Sequence, residues 1–429
     1  MKYSVTIFVF LLNLSAQPVL AKNCPSKLAA HLKQVGEKEL YWGLEFRLGN
    51  YHILEKDPTS DNDKFFDLHR GFMALRTNVD YSPAAWLNFF FEGEVKIRNE
   101  VENCNNWAIP LNNKFEFIPQ LRQVNTNINK WDFNFTLGRQ NLVFGTQAVL
   151  DNFFDAVKIS KYWRGKLKLE LFAGAFATEI ARETLGCGYE QFYENRGAWK
   201  RLCSANYGDY LLFGAQAKLR YKWLRPHRIS MLSIVQWSRN DVEPELLSPE
   251  YPENFTANFT ALHGTGPFFT TKLRYTAELI TSTKIPSGKV IPAAVFGLKY
   301  RLNLGKGTRL VFLPYYTGSF SQDDHNNFAP LFERYDLGMR QRYGLYNGHI
   351  YSFMLKFKHK RSFRIHTGYH YRTNNFVSQN LDDEIEAGFT WFYKGNTKYQ
   401  FRTFYSVINV FAGKTPISHG IRFVLRIIY

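Results

Sequence analysis

Large apolar and charged side chains alternate with a period of two, again and again along this chain. In Ile421-Arg422-Phe423-Val424-Leu425-Arg426-Ile427-Ile428-Tyr429 every odd position is large and apolar, and both arginines are even. From Phe363 to Arg372, one parity carries Phe363, Ile365, Tyr369 and Tyr371, and the other carries Arg364, His366, His370 and Arg372. Leu167, Leu169 and Leu171 alternate in the same way with Lys166, Lys168 and Glu170. In a helix these charges would circle the axis, whereas in a strand they line one face. A soluble antiparallel sheet with one wet face would also alternate. Two features favour a membrane barrel instead. The apolar faces, rich in Phe, Tyr, Leu and Ile, persist for ~9–11 residues, the length of a tilted membrane strand. Connections also alternate short and long, like periplasmic turns and outer loops.

Strands are expected near 40–48, 68–81, 84–98, 115–126, 131–140, 153–162, 165–176, 210–222 and 227–238, and then near 268–281, 290–303, 308–318, 346–358, 361–373, 383–394, 397–408 and 419–429. The up–down order fails between 239 and 267 unless a further strand lies there. Asn254–Leu262 supplies it, with Phe255, Ala257, Phe259 and Ala261 alternating against Thr256, Asn258 and Thr260. The expected fold is therefore all-β, a transmembrane antiparallel barrel of eighteen strands over 39–429 with both termini on the periplasmic side.

Aromatics make up 17% of the chain, with 39 Phe and 25 Tyr, while hydrophobics as a whole stay at 45%. No apolar run after the leader approaches the ~20 residues of a spanning helix, which excludes a helical membrane protein.

Residues 1–21 read as a secretory signal peptide: Lys2, an apolar stretch from Val5 to Leu14, and the small-residue site Val19-Leu20-Ala21. Lys22 and Asn23 separate Cys24 from that site, which speaks against a lipid anchor. Residues 22–38 form a short periplasmic lead-in, in which Ser26–Gln34 has the spacing of a short amphipathic helix (Leu28, Ala29, Leu32). Four cysteines in an exported chain allow two bridges, and Cys187 with Cys203, in one polar stretch, is the expected disulfide. No CxxC or clustered histidine accompanies them, so neither a metal nor a cofactor is expected.

Assigning the polar parity to the interior gives a strongly basic lining. It includes Arg47, Arg76, Arg98, Arg122, Arg274, Arg364, Arg402 and Arg422, with Lys158, Lys168, Lys218, Lys299 and Lys356. Acids on that parity are fewer, among them Glu45, Glu92, Glu94, Glu116, Glu170, Glu278 and Glu386. The whole chain carries 54 Lys and Arg against 37 Asp and Glu, a formal charge of +17. A water-filled tube with low-dielectric walls focuses such an imbalance into a positive potential, as an anion pathway needs. Any single member could instead brace the wall in an Arg–Glu ladder or, near the outer rim, bind lipopolysaccharide phosphate. Ladders alone, however, require no surplus of one sign.

The stretch Leu137-Gly138-Arg139-Gln140-Asn141-Leu142-Val143-Phe144-Gly145, and the arginine-bearing Arg334-Tyr335 to Arg340 followed by Leu345-Tyr346-Asn347, resemble elements of the alginate export family of outer-membrane barrels. The resemblance implies an arginine-rich lumen passing an anionic polysaccharide outward with periplasmic export partners, and it singles out Arg139, Arg340 and Arg334. Arg139 falls on the outward parity of its strand, and Gly138 is where a bulge could turn it inward.

Catalysis is not expected. No G-x-S-x-G accompanies His366 and His370, and Asp382-Asp383-Glu384 reads as a solvated rim. A secretory leader argues against nucleic acid as a partner. The two transport functions are export of an acidic polysaccharide and passage of small anionic nutrients through a diffusion porin, both in the cell outer membrane among lipid and lipopolysaccharide, with an outer-membrane hydrolase as the third reading.

Overall fold

The computed structural model describes residues 31–35, 38–56, 65–104, 112–146, 151–163, 166–176, 210–219, 226–238, 256–285, 290–320, 348–374, 380–393, 398–408 and 418–429, with 288, 396, 410 and 411. The signal peptide, the Cys187–Cys203 pair, Arg334 and Arg340 lie outside them.

The described residues form nineteen strands and no helix. They are β1 (His31–Val35), β2 (Lys38–Lys56), β3 (Phe65–Ala84), β4 (Leu87–Cys104), β5 (Asn112–Lys130), β6 (Phe133–Val143) and β7 (Asp151–Trp163). β8 (Leu167–Phe176), β9 (Tyr210–Leu219), β10 (Arg228–Ser238), β11 (Thr256–Phe268), β12 (Thr270–Ile285) and β13 (Val290–Gly305) follow. β14 (Thr308–Ser319), β15 (Gly348–His359), β16 (Phe363–Asn374), β17 (Asn380–Phe392), β18 (Tyr399–Ile408) and β19 (Ser418–Ile428) complete the chain. Each strand from β2 to β19 pairs antiparallel with its sequence neighbours, and β19 returns to β2, with Ile428 opposite Glu45 and Ser418 opposite Glu55. The result is a closed barrel of eighteen strands. Closure leaves no open edge in the hydrocarbon layer, where an unpaired backbone group costs several kcal/mol.

β1 is the extra strand, and it corrects the expected N-terminal helix over 31–34. It forms a hairpin with β2, from His31 opposite Trp42 to Val35 opposite Lys38. β3 lines the other edge of β2 over its full length, while β19 stops where the Tyr429 amide donates to the Leu44 carbonyl at 2.8 Å. β1 continues the β19 lane below that point. It supplies the backbone partners that the first residues of β2 would otherwise lack.

The two faces of the wall differ as the parity requires. Leu48, Phe117, Phe213, Leu279, Phe353 and Phe423 are exposed on the outer face, Leu279 and Phe117 at 62% and 61%. Aromatics crowd the short-turn end, including Trp86, Trp131, Trp163, Phe269, Tyr393 and Tyr399, as interfacial girdles do. This apolar belt fits the barrel to the outer membrane.

Candidate functional site

The inner wall divides into sectors of different chemistry. From β19 to β5 arginines and glutamates interlock. Arg426 grips Glu45 with two hydrogen bonds, Nε to Oε1 at 2.8 Å and Nη2 to Oε2 at 2.7 Å. Arg47 donates to Glu94 at 2.6 Å, and Arg76 reaches the same oxygen at 2.7 Å. Arg122 donates to Glu92 at 3.0 Å and stands 5.1 Å over the Phe153 ring, and Arg98 donates to Glu116 at 2.8 Å. The register places these groups side by side: Glu45 faces Arg76, and Arg76 faces Glu94. Glu92 and Glu94 share the inward parity of β4, and Arg122, on the parity of Glu116 and Gln120, is the unpaired residue where the β4–β5 register shifts. This is a bracing lattice of guanidinium and carboxylate groups, bidentate at Arg426 and Glu45.

From β12 to β16 the balance is different. Arg274 lies opposite Lys299, Arg309 opposite Lys358, and Lys358 opposite Arg364. The charged neighbours of Lys299 are Arg301, Lys356 and Arg274, and those of Lys358 are Arg364, Arg309 and Arg361, every one a cation. Among the described residues no carboxylate lies within 4.0 Å of Arg274, Lys299, Arg301, Lys358 or Arg364. Arg364 instead stacks over the Phe392 ring at 4.8 Å. Glu386 is the nearby acid, 3.7 Å from His370 and 3.9 Å from His366. Arg402 joins the band to the lattice. It donates to Gln400 at 2.6 Å, with Arg364, Arg422, Arg426 and Glu45 as charged neighbours.

A third sector is apolar, and it corrects one assignment of parity. In β11 the apolar set Ala257, Phe259 and Ala261 faces inward, fully buried, while Leu262 on the opposite parity is exposed outside. The interior here is packed rather than wet: Phe144, Phe154, Phe259, Leu212, Leu232 and Ile234 are all fully buried. The cause is the chain after β6. Phe144–Thr146 turns across the lumen to the opposite wall, with the Phe144 ring edge-on to His263 at 6.3 Å. The Thr146 amide donates to Glu278 on β12 at 2.6 Å. Gly145 has φ +52, and a Cβ there would collide with the Glu278 carboxylate. The left-handed backbone is what favours glycine there. This inward segment narrows the channel beside the cation band. Nothing in the local sequence marks it, apart from the glycine following an apolar strand end.

Arg139 does not line the lumen. Gly138 has φ +107 and packs against the Val124 carbonyl, yet β6 keeps its register with β5 and β7 through Leu137, Gly138 and Arg139. Arg139 therefore shares the outer face with Val124, Leu137 and Val157, all exposed. There it binds Asp155 through two hydrogen bonds of 2.8 Å and the Leu121 carbonyl at 3.1 Å. No bulge turns it inward, and it braces the outer wall.

No protein-family model and no curated protein matches this sequence. Solved structures do. The Pseudomonas aeruginosa protein OccK7 (OpdD) is 9% identical with a TM-score of 0.59, over 90% of this chain and 99% of that one. OccK1 (OpdK) of the same organism is 10% identical with a TM-score of 0.55, over 90% and 98%. OccK2 (OpdF), solved in complex with glucuronate, is 10% identical with a TM-score of 0.53, over 90% and 97%. At such identities the likeness establishes a shared fold. These neighbours are substrate-specific outer-membrane porins, not alginate exporters, which overturns the resemblance to the alginate export family.

Proposed function

We propose that this barrel is an anion-selective diffusion channel of the outer membrane for small carboxylate-bearing nutrients. The observation that carries the proposal is the cation band of β12–β16, where lysines and arginines have other cations as neighbours. In the lattice Glu45, Glu92, Glu94 and Glu116 offset most of the charge of the five arginines bound to them, so that sector contributes less net field. The band keeps its surplus, and a row of donors that no wall carboxylate occupies can replace water around a passing anion. The inward segment Phe144–Thr146 adds a constriction that suits monomeric solutes better than an extended polymer. The glucuronate complex of OccK2 (OpdF) supports the size and charge of the solute. Export of a polysaccharide, and the periplasmic partners it would need, fall with the family resemblance that implied them. Nothing in this arrangement calls for catalysis.

The test is substitution of Lys299 and Arg364 by Gln, with reversal potentials read across a salt gradient. The proposal expects the preference for chloride over potassium to fall, together with permeation of small acids. Unchanged selectivity would remove the band from the pathway.

A further inference from the structure

At the short-turn end, away from both the band and the inward segment, β5 to β8 enclose an open recess of about 610 Å³. Its inner wall is a mesh of amides and hydroxyls. The Asn127 amide donates to Asn125 at 3.0 Å and to Asn88 at 3.2 Å, and the Thr136 hydroxyl donates to Asn127 at 2.8 Å. Asn134 donates to Asn129 at the rim. Two further features stand beside the amides. Tyr162 is a half-exposed ring with the Lys168 ammonium 5.1 Å from its centroid. The lysines outnumber the acids: Lys130, Lys158, Lys168 and Lys218 stand against Asp132 and Glu170. Glu170 holds Lys168 and Lys218 at 2.7 Å each, whereas Lys158 has no such ion pair among the described residues.

A two-residue turn closes the recess. Trp131 and Asp132 have φ of 52° and 62°, a tight hairpin that ordinarily calls for Asn-Gly. Phe269, Lys306 and Lys360 adopt the same left-handed backbone at other short turns. Here the indole is exposed at the mouth of the recess with Lys130 4.5 Å from its centroid.

Amide groups that can both donate and accept, an aromatic face and an ammonium outside any close ion pair are the groups that recognise a ring bearing several hydroxyls and one carboxylate. We infer that this recess is a periplasm-side binding site for polyhydroxylated carboxylates such as sugar acids. Lys158 meets the carboxylate, Asn129 and Asn134 meet the hydroxyls, and Tyr162 or Trp131 meets the apolar face of the ring. A bare inorganic anion would leave the amides unused. The inference rests on the channel reading only in that the site lies at the mouth of the permeation path.

The experiment is equilibrium titration of the full-length barrel in detergent, following the part of the tryptophan fluorescence that Trp131→Phe removes. Glucuronate is expected to perturb it, with glucose (hydroxyls without charge) and acetate (charge without hydroxyls) each at least ~tenfold weaker. Lys158→Gln and Tyr162→Ala should each weaken glucuronate by at least ~tenfold, with heat-modifiable migration confirming that both variants are folded. Acetate binding as tightly as glucuronate, Lys158→Gln binding like the parent protein, or no response to glucuronate would overturn the inference. Chloride-over-potassium selectivity of the parent barrel is read separately. A barrel that prefers potassium yet still binds glucuronate at Trp131 sinks the channel reading and keeps this site.

Discussion

The main-chain amide of Thr146 donates to the carboxylate of Glu278 at 2.6 Å, joining residues 132 positions apart across the inside of the barrel. The pair ties the chain after β6 to the wall of β12, and with Phe144 against His263 it fixes how wide the channel is beside its cations. Glu278 is 0% exposed and meets no cation among the described residues, so its acceptor role toward Thr146 is what the structure shows it doing.

Glu278→Ala removes that acceptor and leaves a buried amide unsatisfied, a loss of roughly 1–3 kcal/mol. The inward segment should loosen, seen as higher and noisier single-channel conductance and a lower unfolding temperature. Glu278→Gln keeps an oxygen able to accept from Thr146 and should stay close to the parent in conductance.

Gly145→Ala forces a side chain into a left-handed backbone at φ +52 and into the Glu278 carboxylate. The backbone penalty alone is about 1 kcal/mol. Because both substitutions act on one contact, the double variant Gly145→Ala, Glu278→Ala should lose less stability than the sum of the singles. Strict additivity, measured by denaturant or thermal unfolding in detergent, would separate the two residues.

The lattice and the band should respond differently to loss of charge. Glu94→Gln, which weakens the acceptor shared by Arg47 and Arg76, should lower stability by about 1–3 kcal/mol. It should raise anion selectivity slightly, since an acid is lost. Lys358→Gln in the band should leave stability nearly unchanged or improve it, by relieving like-charge crowding with Arg309 and Arg364, while lowering anion selectivity. Paired measurements of melting and reversal potential distinguish them.

Arg139→Gln leaves Asp155 without its bidentate partner on the outer face. Breaking a pair shielded from water costs about 3–5 kcal/mol when a charge is stranded. Folding yield and melting temperature should fall, and the double variant Arg139→Gln, Asp155→Asn should recover most of the loss. Ion selectivity should not change, because neither side chain faces the lumen.

The barrel itself was legible because period-two alternation is a local property that every strand carries. The segment at 254–262 could be found from the up–down order alone, and β11 does run from Thr256 to Phe268. Which parity faces inward is not local. Ala257, Phe259 and Ala261 alternate just as a lipid-facing strand would, and only the arrival of Phe144 from a distant strand end makes the interior their apolar side. Arg139 fails for a related reason. Gly138 has the backbone of a bulge, yet the ladder on both sides keeps step, and register is set by neighbours rather than by the motif. His31–Val35 forms a strand because the β2 edge below Tyr429 needs hydrogen-bond partners, a demand invisible in those five residues. The division of the arginines into lattice and band was likewise hidden, since it depends on which acids stand on adjoining strands.

The most direct test of the account is the reversal potential of the purified full-length barrel in a planar bilayer under a potassium chloride gradient. The cation band of β12–β16 requires a potential of the sign set by chloride, and replacing chloride by glucuronate on one side shifts it less the more readily the acid itself permeates. A potential of the sign set by potassium would contradict the account, because a lumen lined by Arg274, Lys299, Lys358 and Arg364 cannot favour the cation.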